Sequence, residues 1–245
     1  MPISSPQALD LFLRRLQLRS SFSRPEQDAV RALPFRETSV PAGRDIVSPG
    51  EAVDHACLVV DGLISRFDML LDGRRQTVGL YIAGDMCDLH SVPVPMTGWG
   101  LEALTASTVL FVPHDALIAL ARNIDLALAF WRDTVVDGSI MAKWVANLGR
   151  KNAPPRVAHL FCEMGVRMEE AGLGTRTEFA LPMTQAQLAD VVGLTSVHLN
   201  RTLKALVDEG VTFARKTVRI EDWDAIAEMA EFDPTYLLIP PEKGL

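Results

Sequence analysis

Between Thr184 and Lys204 the sequence reads TQAQLADVVGLTSVHLNRTLK, and few backbone arrangements satisfy it. Leu188, Val192, Leu194, Leu199, Leu203 and Leu206 supply apolar contacts on both sides of Gly193, a residue that lets the chain bend sharply. Thr184 with Gln187 forms a capping box that starts one helix. Thr195 caps a second, which the spacing carries to about Glu209. Ala189 is small enough for the two helices to approach. The predicted result is a helix-turn-helix that leaves Ser196, Val197, His198, Asn200, Arg201 and Lys204 outside the apolar seam. In such a pair the first turns of the second helix enter the major groove of DNA. A packing unit or protein-interaction module without a DNA partner has the same caps and glycine, so the following residues carry weight.

Those residues, VTFARKTVRI, read as a β-hairpin wing with Arg215, Lys216 and Arg219 and no acid between Val211 and Ile220. The whole chain of 245 residues carries a net charge of −7, which by itself argues against phosphate contacts. Distribution matters more than the sum: the bases gather on the second helix and wing, and the acids Asp190, Asp208 and Glu209 lie toward helix ends.

Upstream the texture changes twice. Leu9, Phe12, Leu13 and Leu16 repeat at helical spacing within residues 1–35. From Ser39 to Pro113 short apolar runs are punctuated by Gly43, Gly50, Gly62, Gly73 and Gly84, which predicts an antiparallel β-barrel or roll. Asp72-Gly73 is the strongest hairpin signal among them. Ala116 to Ala121 makes a short helix and Ile124 to Leu148 a long one. In the long helix Leu128, Trp131, Val135, Gly138, Ala142 and Val145 alternate at spacings of four and three, beside a second stripe of Phe130, Met141, Trp144 and Leu148. A helix with two apolar stripes needs two covers: its own β-domain and a second copy of itself. GRKNAPP from Gly149 reads as a hinge, with Pro154 and Pro155 opening a helix that carries Val157, Leu160, Phe161, Met164 and Met168 on one face. GLGTRTEF then reads as a loop.

Other classes are set aside by what the chain lacks. The N-terminus has no apolar h-region and no stretch is long and apolar enough to span a membrane, which places the protein in the cytosol. Cys57, Cys87 and Cys162 are far apart in sequence without metal-binding or framework spacing, so no disulfide, zinc finger or metal site is expected. No nucleophile elbow, P-loop or metal-spaced His/Glu set is present, so an enzyme is not expected.

Taken together, the glycine-rich roll, the long helix, NLGRKNAPPRVAHLFCE, TQAQLADVVGLTSVHLNRTLKAL and the tail RIEDWDAIAEMAEFDPTYL resemble, in order, the Crp/Fnr-type bacterial transcription regulators, over about residues 9 to 238. The resemblance implies an α+β chain: a jelly-roll-like antiparallel β-roll (a double-stranded β-helix) with flanking helices, a long dimerisation helix and a winged helix-turn-helix. Its boundaries fall at 1–123 for a cyclic-nucleotide-binding-like sensor domain, 124–151 for the dimerisation helix and hinge, and 152–245 for the DNA-binding domain. It also implies a homodimer joined through Trp131, Val135, Ala142 and Val145, double-stranded DNA with two-fold symmetry, and RNA polymerase as a further partner. The family's base-reading positions fall on Ser196, Val197 and Arg201. Arg201 suits O6 and N7 of guanine, Val197 a thymine methyl, and Ser196 a base or phosphate. Thr184, Thr195, His198, Asn200, Lys204, Arg215 and Lys216 are expected on the DNA backbone. Thr202 stands where a larger aliphatic residue often packs.

The effector site departs from the cyclic-nucleotide pattern. The Gly-Glu positions of the family cassette fall on Asp88 and Leu89, and the Arg-Ser-Ala positions near Thr97, Gly98 and Trp99. No Lys or Arg lies between Arg75 and Arg122, so a buried phosphate would lack its cation, and Asp88 would repel it. Asp85, Asp88, His90 and Trp99 are the residues expected around this site. No cofactor is expected. Residues 1–56 contain no cysteine, which removes the iron–sulfur mode of the family. Haem is the alternative, because His90 in GDMCDLHS matches an axial-ligand position and Pro2 follows Met1, although Asp88 replaces the cysteine. Trp99, Met96, Pro93, Pro95 and Pro113 either fill the mouth of the roll or line a pocket for a small apolar effector.

Overall fold

The computed structural model describes residues 3–239; Pro2, invoked above for haem, lies outside them. The chain separates into two compact units, one of residues up to Ser139 and the other from Ile140 to Leu237.

In the first unit α1 (Ser5–Gln17) and α2 (Arg24–Arg31) each start on a serine capping box, Ser4 with Gln7 and Ser23 with Glu26. Seven strands follow: β1 (Arg36–Val40), β2 (Arg44–Val47), β3 (His55–Asp61), β4 (Ile64–Met69), β5 (Arg75–Tyr81), β6 (Gly100–Ala103) and β7 (Ser107–Pro113). They form two antiparallel sheets, ordered β1-β7-β3 and β2-β6-β4-β5, the predicted roll. The Asp72-Gly73 signal closes the β4–β5 hairpin, with Gly73 at φ +83° and its N–H donating to the Leu70 carbonyl.

Strand β3 is apolar on both faces because it is covered twice. Cys57 and Val59 point into the roll with Val47, Ile64, Tyr81, Cys87, Leu101, Ala103 and Val109. Ala56, Leu58 and Val60 point outward, under Leu9, Phe12, Leu13 and Leu16 of α1 and under Leu117, Leu126, Ala129 and Phe130. The last four belong to α3 (His114–Leu120) and to the long helix α4 (Ile124–Arg150). The spacing of Cys57 and Cys87 in sequence hid their closeness: the bridge between Leu58 and Met86 puts them opposite each other, and Cys87 N–H donates to the Cys57 carbonyl at 2.8 Å. Both remain free and buried.

Helix α4 continues into the second unit. Lys151 and Asn152 separate it from α5 (Ala153–Ala171), which takes Pro154 and Pro155 in its first turn and ends on left-handed Gly172. The five residues expected on the buried face of α5 are all buried. Trp144 Nε1 and Tyr236 Oη both donate to the buried carboxylate of Glu163, at 3.0 and 2.8 Å, which fastens the C-terminal 3-10 turn to α5. The stretch expected as a loop contains a strand, β8 (Glu178–Ala180), which pairs with β10 (Thr217–Ile220), itself paired with β9 (Val211–Ala214). The wing is therefore a three-stranded sheet.

Candidate functional site

Helices α6 (Gln185–Val191) and α7 (Ser196–Asp208) form the predicted pair. The Thr184 hydroxyl accepts from Gln187 N–H, and Gln187 Oε1 accepts from Thr184 N–H at 2.7 Å. The Thr195 hydroxyl accepts from His198 N–H at 3.2 Å. Gly193 sits between them at φ +61°, a conformation that favours glycine, and a Cβ there would also have to displace the Leu148 Cδ2 methyl, 2.7 Å away. Leu188, Val192, Leu199, Leu203 and Leu206 are buried in the seam, and Leu194 is half-buried. Thr202 is buried as well. Its hydroxyl donates to the His198 carbonyl one turn back, so its methyl packs without an unsatisfied oxygen.

What this seam leaves outside is one polar face. Ser196, Val197, Asn200, Arg201 and Lys204 are exposed at spacings of one, three, one and three along α7. His198 is exposed too, on a neighbouring strip. Val197 is 66% exposed, an apolar side chain with no intramolecular cover among polar neighbours. Among the described residues Arg201 and Lys204 make no ion pair, whereas Arg15, Arg31, Arg66, Arg75, Arg167, Arg176 and Arg219 all do. Asn200 Nδ2 donates weakly to Gln185 Oε1, at 3.4 Å, which brings Gln185 to the same face. Gln185 was not anticipated, because only the fold brings the start of α6 beside α7.

The wing turn adds a second cationic element. Arg215 and Lys216 are the two central residues between β9 and β10, exposed, with φ of +50° and +61°. Tight hairpins of this shape favour Asn-Gly, and each non-glycine residue in the left-handed region costs about 1–2 kcal/mol. The chain thus holds two strained cations where the turn itself prefers neither. Replacing Arg215-Lys216 by Asn-Gly is expected to raise the urea midpoint by the equivalent of about 1–2 kcal/mol. The same change is expected to weaken duplex binding and flatten its salt dependence. A variant that is stabilised and binds DNA unchanged would leave these cations without a role there.

The interior of the roll holds a second concentration of polar groups. Asp88 and Trp99 line a small cleft with His90, Ser91, Glu51 and Thr97, of about 10 Å³, room for about one water. Asp85 is not on that cleft. Its carboxylate takes Arg15 Nη1 at 2.6 Å and Ile82 N–H at 2.9 Å. Asp88 accepts from Cys57 N–H at 2.6 Å, so its side chain holds the cassette to β3. His90 Nε2 accepts from Trp99 Nε1 at 3.0 Å, and its Nδ1 lies 3.2 Å from Arg66 Nη2. Burial first, and Arg66 second, push His90 down to about 3. Both ring nitrogens are in contact with donors, so these residues do not fit an axial haem ligand without displacing the indole.

The expectation that the roll lacks a cation is corrected by the fold, which brings in cations from outside the stretch between Arg75 and Arg122. Arg66 comes from β4 and Arg15 from α1. Arg15 contacts Asp133 at 2.6 Å, Asp85 at 2.6 Å and Asp137 at 3.5 Å, and Arg66 contacts Asp137 at 3.3 Å. Tyr81 Oη donates to Asp137 at 3.2 Å. Asp133 and Asp137 share the inner face of α4, a pair of acids four residues apart within an apolar stripe.

Burial pushes Asp88 up to about 6, partly offset by Cys57 N–H and Arg66. An unfolded aspartate titrates near 4, so between about pH 4 and 6 the folded state holds a proton that the unfolded state releases. That contribution is therefore complete below about pH 4 and lost as pH rises through about 6. Asp88→Asn keeps the acceptor for Cys57 N–H and cannot titrate. Wild type is expected to lose about 2 kcal/mol relative to this variant between pH 4 and 6.5, read from urea midpoints. A constant difference across that range would place the Asp88 proton elsewhere.

Comparison with known proteins agrees with this geometry. Residues 155–229 match the Crp-like helix-turn-helix domain, and residues 37–123 match the cyclic nucleotide-binding domain. The fumarate and nitrate reduction regulatory protein of Escherichia coli strain K12 is 24% identical over 225 residues, covering 90% of this chain and 89% of that protein. The transcriptional activator protein FnrL of Cereibacter sphaeroides is 27% identical over 208 residues, 80% of each chain. The solved structure of FixK2 from Bradyrhizobium japonicum superposes with a TM-score of 0.72 at 26% identity, covering 80% of this chain and 98% of that one. The first of these is by name a regulatory protein and the second a transcriptional activator. With a cyclic-nucleotide-binding-like roll followed by a Crp-like helix-turn-helix, the chain belongs to the Crp/Fnr family of transcription regulators.

Proposed function

We propose that this regulator acts as a homodimer on a two-fold symmetric operator, with α7 of each protomer in the major groove. The observation that carries the reading is the exposed face of α7, where Val197, Arg201 and Lys204 stand without intramolecular partners among the described residues. Arg201 has the planar fork that meets guanine O6 and N7, Val197 the apolar surface that meets a thymine methyl, and Ser196 a hydroxyl for either edge. Lys204, Arg215 and Lys216 supply charge to phosphates. Thr184, Thr195, His198 and Asn200 position the helix on the backbone. RNA polymerase follows as a partner from the family's activity, and the exposed stripe of α4 is the surface for the second copy.

Cyclic nucleotide is not the effector in this reading. Asp88 and Leu89 replace the cassette anchors, and the remaining cleft admits about one water. The experiment is a salt titration of binding to random-sequence duplex. Three phosphate-seeking cations per protomer, doubled in a dimer, give an expected slope of log affinity against log salt of about −5. Affinity that is absent at low salt, or indifferent to salt, would return the helix pair to a packing role. Selection of bound sequences then yields the operator, whose two half-sites are expected one helical turn apart, about 34 Å.

A further inference from the structure

We propose that the Arg66 guanidinium is a built-in ligand of the roll, tying the effector cassette to α4 in place of a diffusible effector. The inference rests on the reading of the roll as the regulatory domain and names what occupies it. Arg66 lies two residues after Ile64 on β4, so the strand alternation turns both into the roll. Directly opposite, β5 carries Gly79, which places no side chain against it. At 2% exposure Arg66 heads the largest fully buried side chains.

A charged guanidinium is costly in an apolar interior unless it is paired. Arg66 answers that cost in part through Nη2, which joins two elements. Its Nη2 donates to the Cys87 carbonyl, in the cassette, at 2.5 Å, and lies 3.3 Å from Asp137 Oδ2 on α4. The ring faces of Tyr81 and Trp99 lie 5.2 and 5.6 Å from its central carbon. The Trp99 indole is held in turn by His90. A neutral imidazole offers one acceptor, which Trp99 takes, so the firm partners of Arg66 are the carbonyl and the carboxylate.

This bridge has the form a bound effector would need: one end on the cassette, the other on the helix. It is also neutral, since Asp137 supplies the counterion from within the chain. An incoming phosphate therefore meets a cation already paired and a cleft of about 10 Å³. Arg66 is a positioning residue whose effect passes through Asp137 to α4.

Hydrogen–deuterium exchange on the full-length protein tests it without DNA. In Arg66→Ala, residues 84–99 and 130–140 are expected to lose protection together by about tenfold or more, with Arg74→Ala at the hairpin surface showing no loss. Asp137→Asn cuts the same bridge from the other end with little change of volume, and is expected to loosen the same two segments. Ethylguanidinium at low millimolar concentration is expected to restore protection saturably in Arg66→Ala, with ethylammonium less effective, and Arg66→Lys to recover part of it. Cyclic AMP and cyclic GMP are expected to leave wild-type exchange unchanged. Loosening of the cassette alone, or of neither segment, would overturn the bridge. So would protection gained by wild type from a cyclic nucleotide. Failure of the DNA reading is a separate result, visible as wild-type protein that ignores duplex.

Discussion

Val135→Asp is expected to convert the protein to a folded monomer and to lower operator affinity by about 10²–10⁴-fold. The reason lies in the outer stripe of α4. Trp131, Val135, Gly138, Ala142 and Val145 follow spacings of four and three, the heptad seam of a two-stranded coiled coil. Trp131 is 67% exposed, Val135 55% and Val145 70%, while the inner face of the same helix buries Leu126, Val136, Ile140 and Trp144. A second copy laid along the stripe would bury those side chains and place Gly138 and Ala142 where the helices pass closest. Aspartate at 135 in both copies would then put two carboxylates across one apolar seam, each without a partner. Because Val135 faces away from its own core, the protomer loses little, within about 0.5 kcal/mol for an exposed position. Light scattering should therefore report a monomer with an unchanged circular dichroism spectrum, its thermal transition lowered only by the loss of the dimer contact. The remaining affinity is that of one half-site, since the second contact no longer comes at high effective concentration. A Val135→Asp protein that stays dimeric, with operator affinity intact, would move the interface off this stripe.

The parts of the molecule that were legible from sequence are those set by local rules. Gly73 and Gly193 require positive φ wherever they sit, so the hairpin and the bend in the helix pair could be read directly. The caps at Thr184 and Thr195 lie three residues from their partners, and the stripes of α4 repeat along one helix. The roll interior was not legible in this way. Arg15, Arg66, Asp85, Asp133 and Asp137 come from α1, β4, a turn and α4, and only the folded chain brings them together. The stretch between Arg75 and Arg122 holds no Lys or Arg, yet the chamber holds a cation, because Arg66 enters from the preceding strand. A trace was present in the sequence: Asp133 and Asp137, four apart, sit among Phe130, Val136 and Ile140 on a face that an ordinary buried stripe would keep apolar. Acids placed so demand cations from elsewhere. Strand β8 escaped for a related reason, since three residues, Glu178 to Ala180, have no periodicity to read until β10 lies beside them.

Arg201→Ala is expected to flatten preference at one base pair of each half-site while leaving preferences elsewhere in the operator unchanged. Arg201 is exposed, makes no ion pair among the described residues, and lies one turn beyond Val197 on the outward face of α7. Its loss removes no internal contact, so stability should hold while discrimination falls by about 1–3 kcal/mol per half-site, or about 5- to 150-fold. In a symmetric dimer the two half-sites lose this together, which doubles the free-energy penalty on the cognate operator. Lys204→Ala gives the contrasting pattern. A phosphate contact carries no sequence information, so cognate and random duplex should weaken alike, with the salt slope reduced by about 2 for the dimer. The two variants separate base reading from charge on the same helix face, three residues apart. Sequence selection with each protein, at one fixed salt concentration, makes the measurement. An Arg201→Ala protein that returns the wild-type sequence preference at wild-type affinity would assign base reading to other residues.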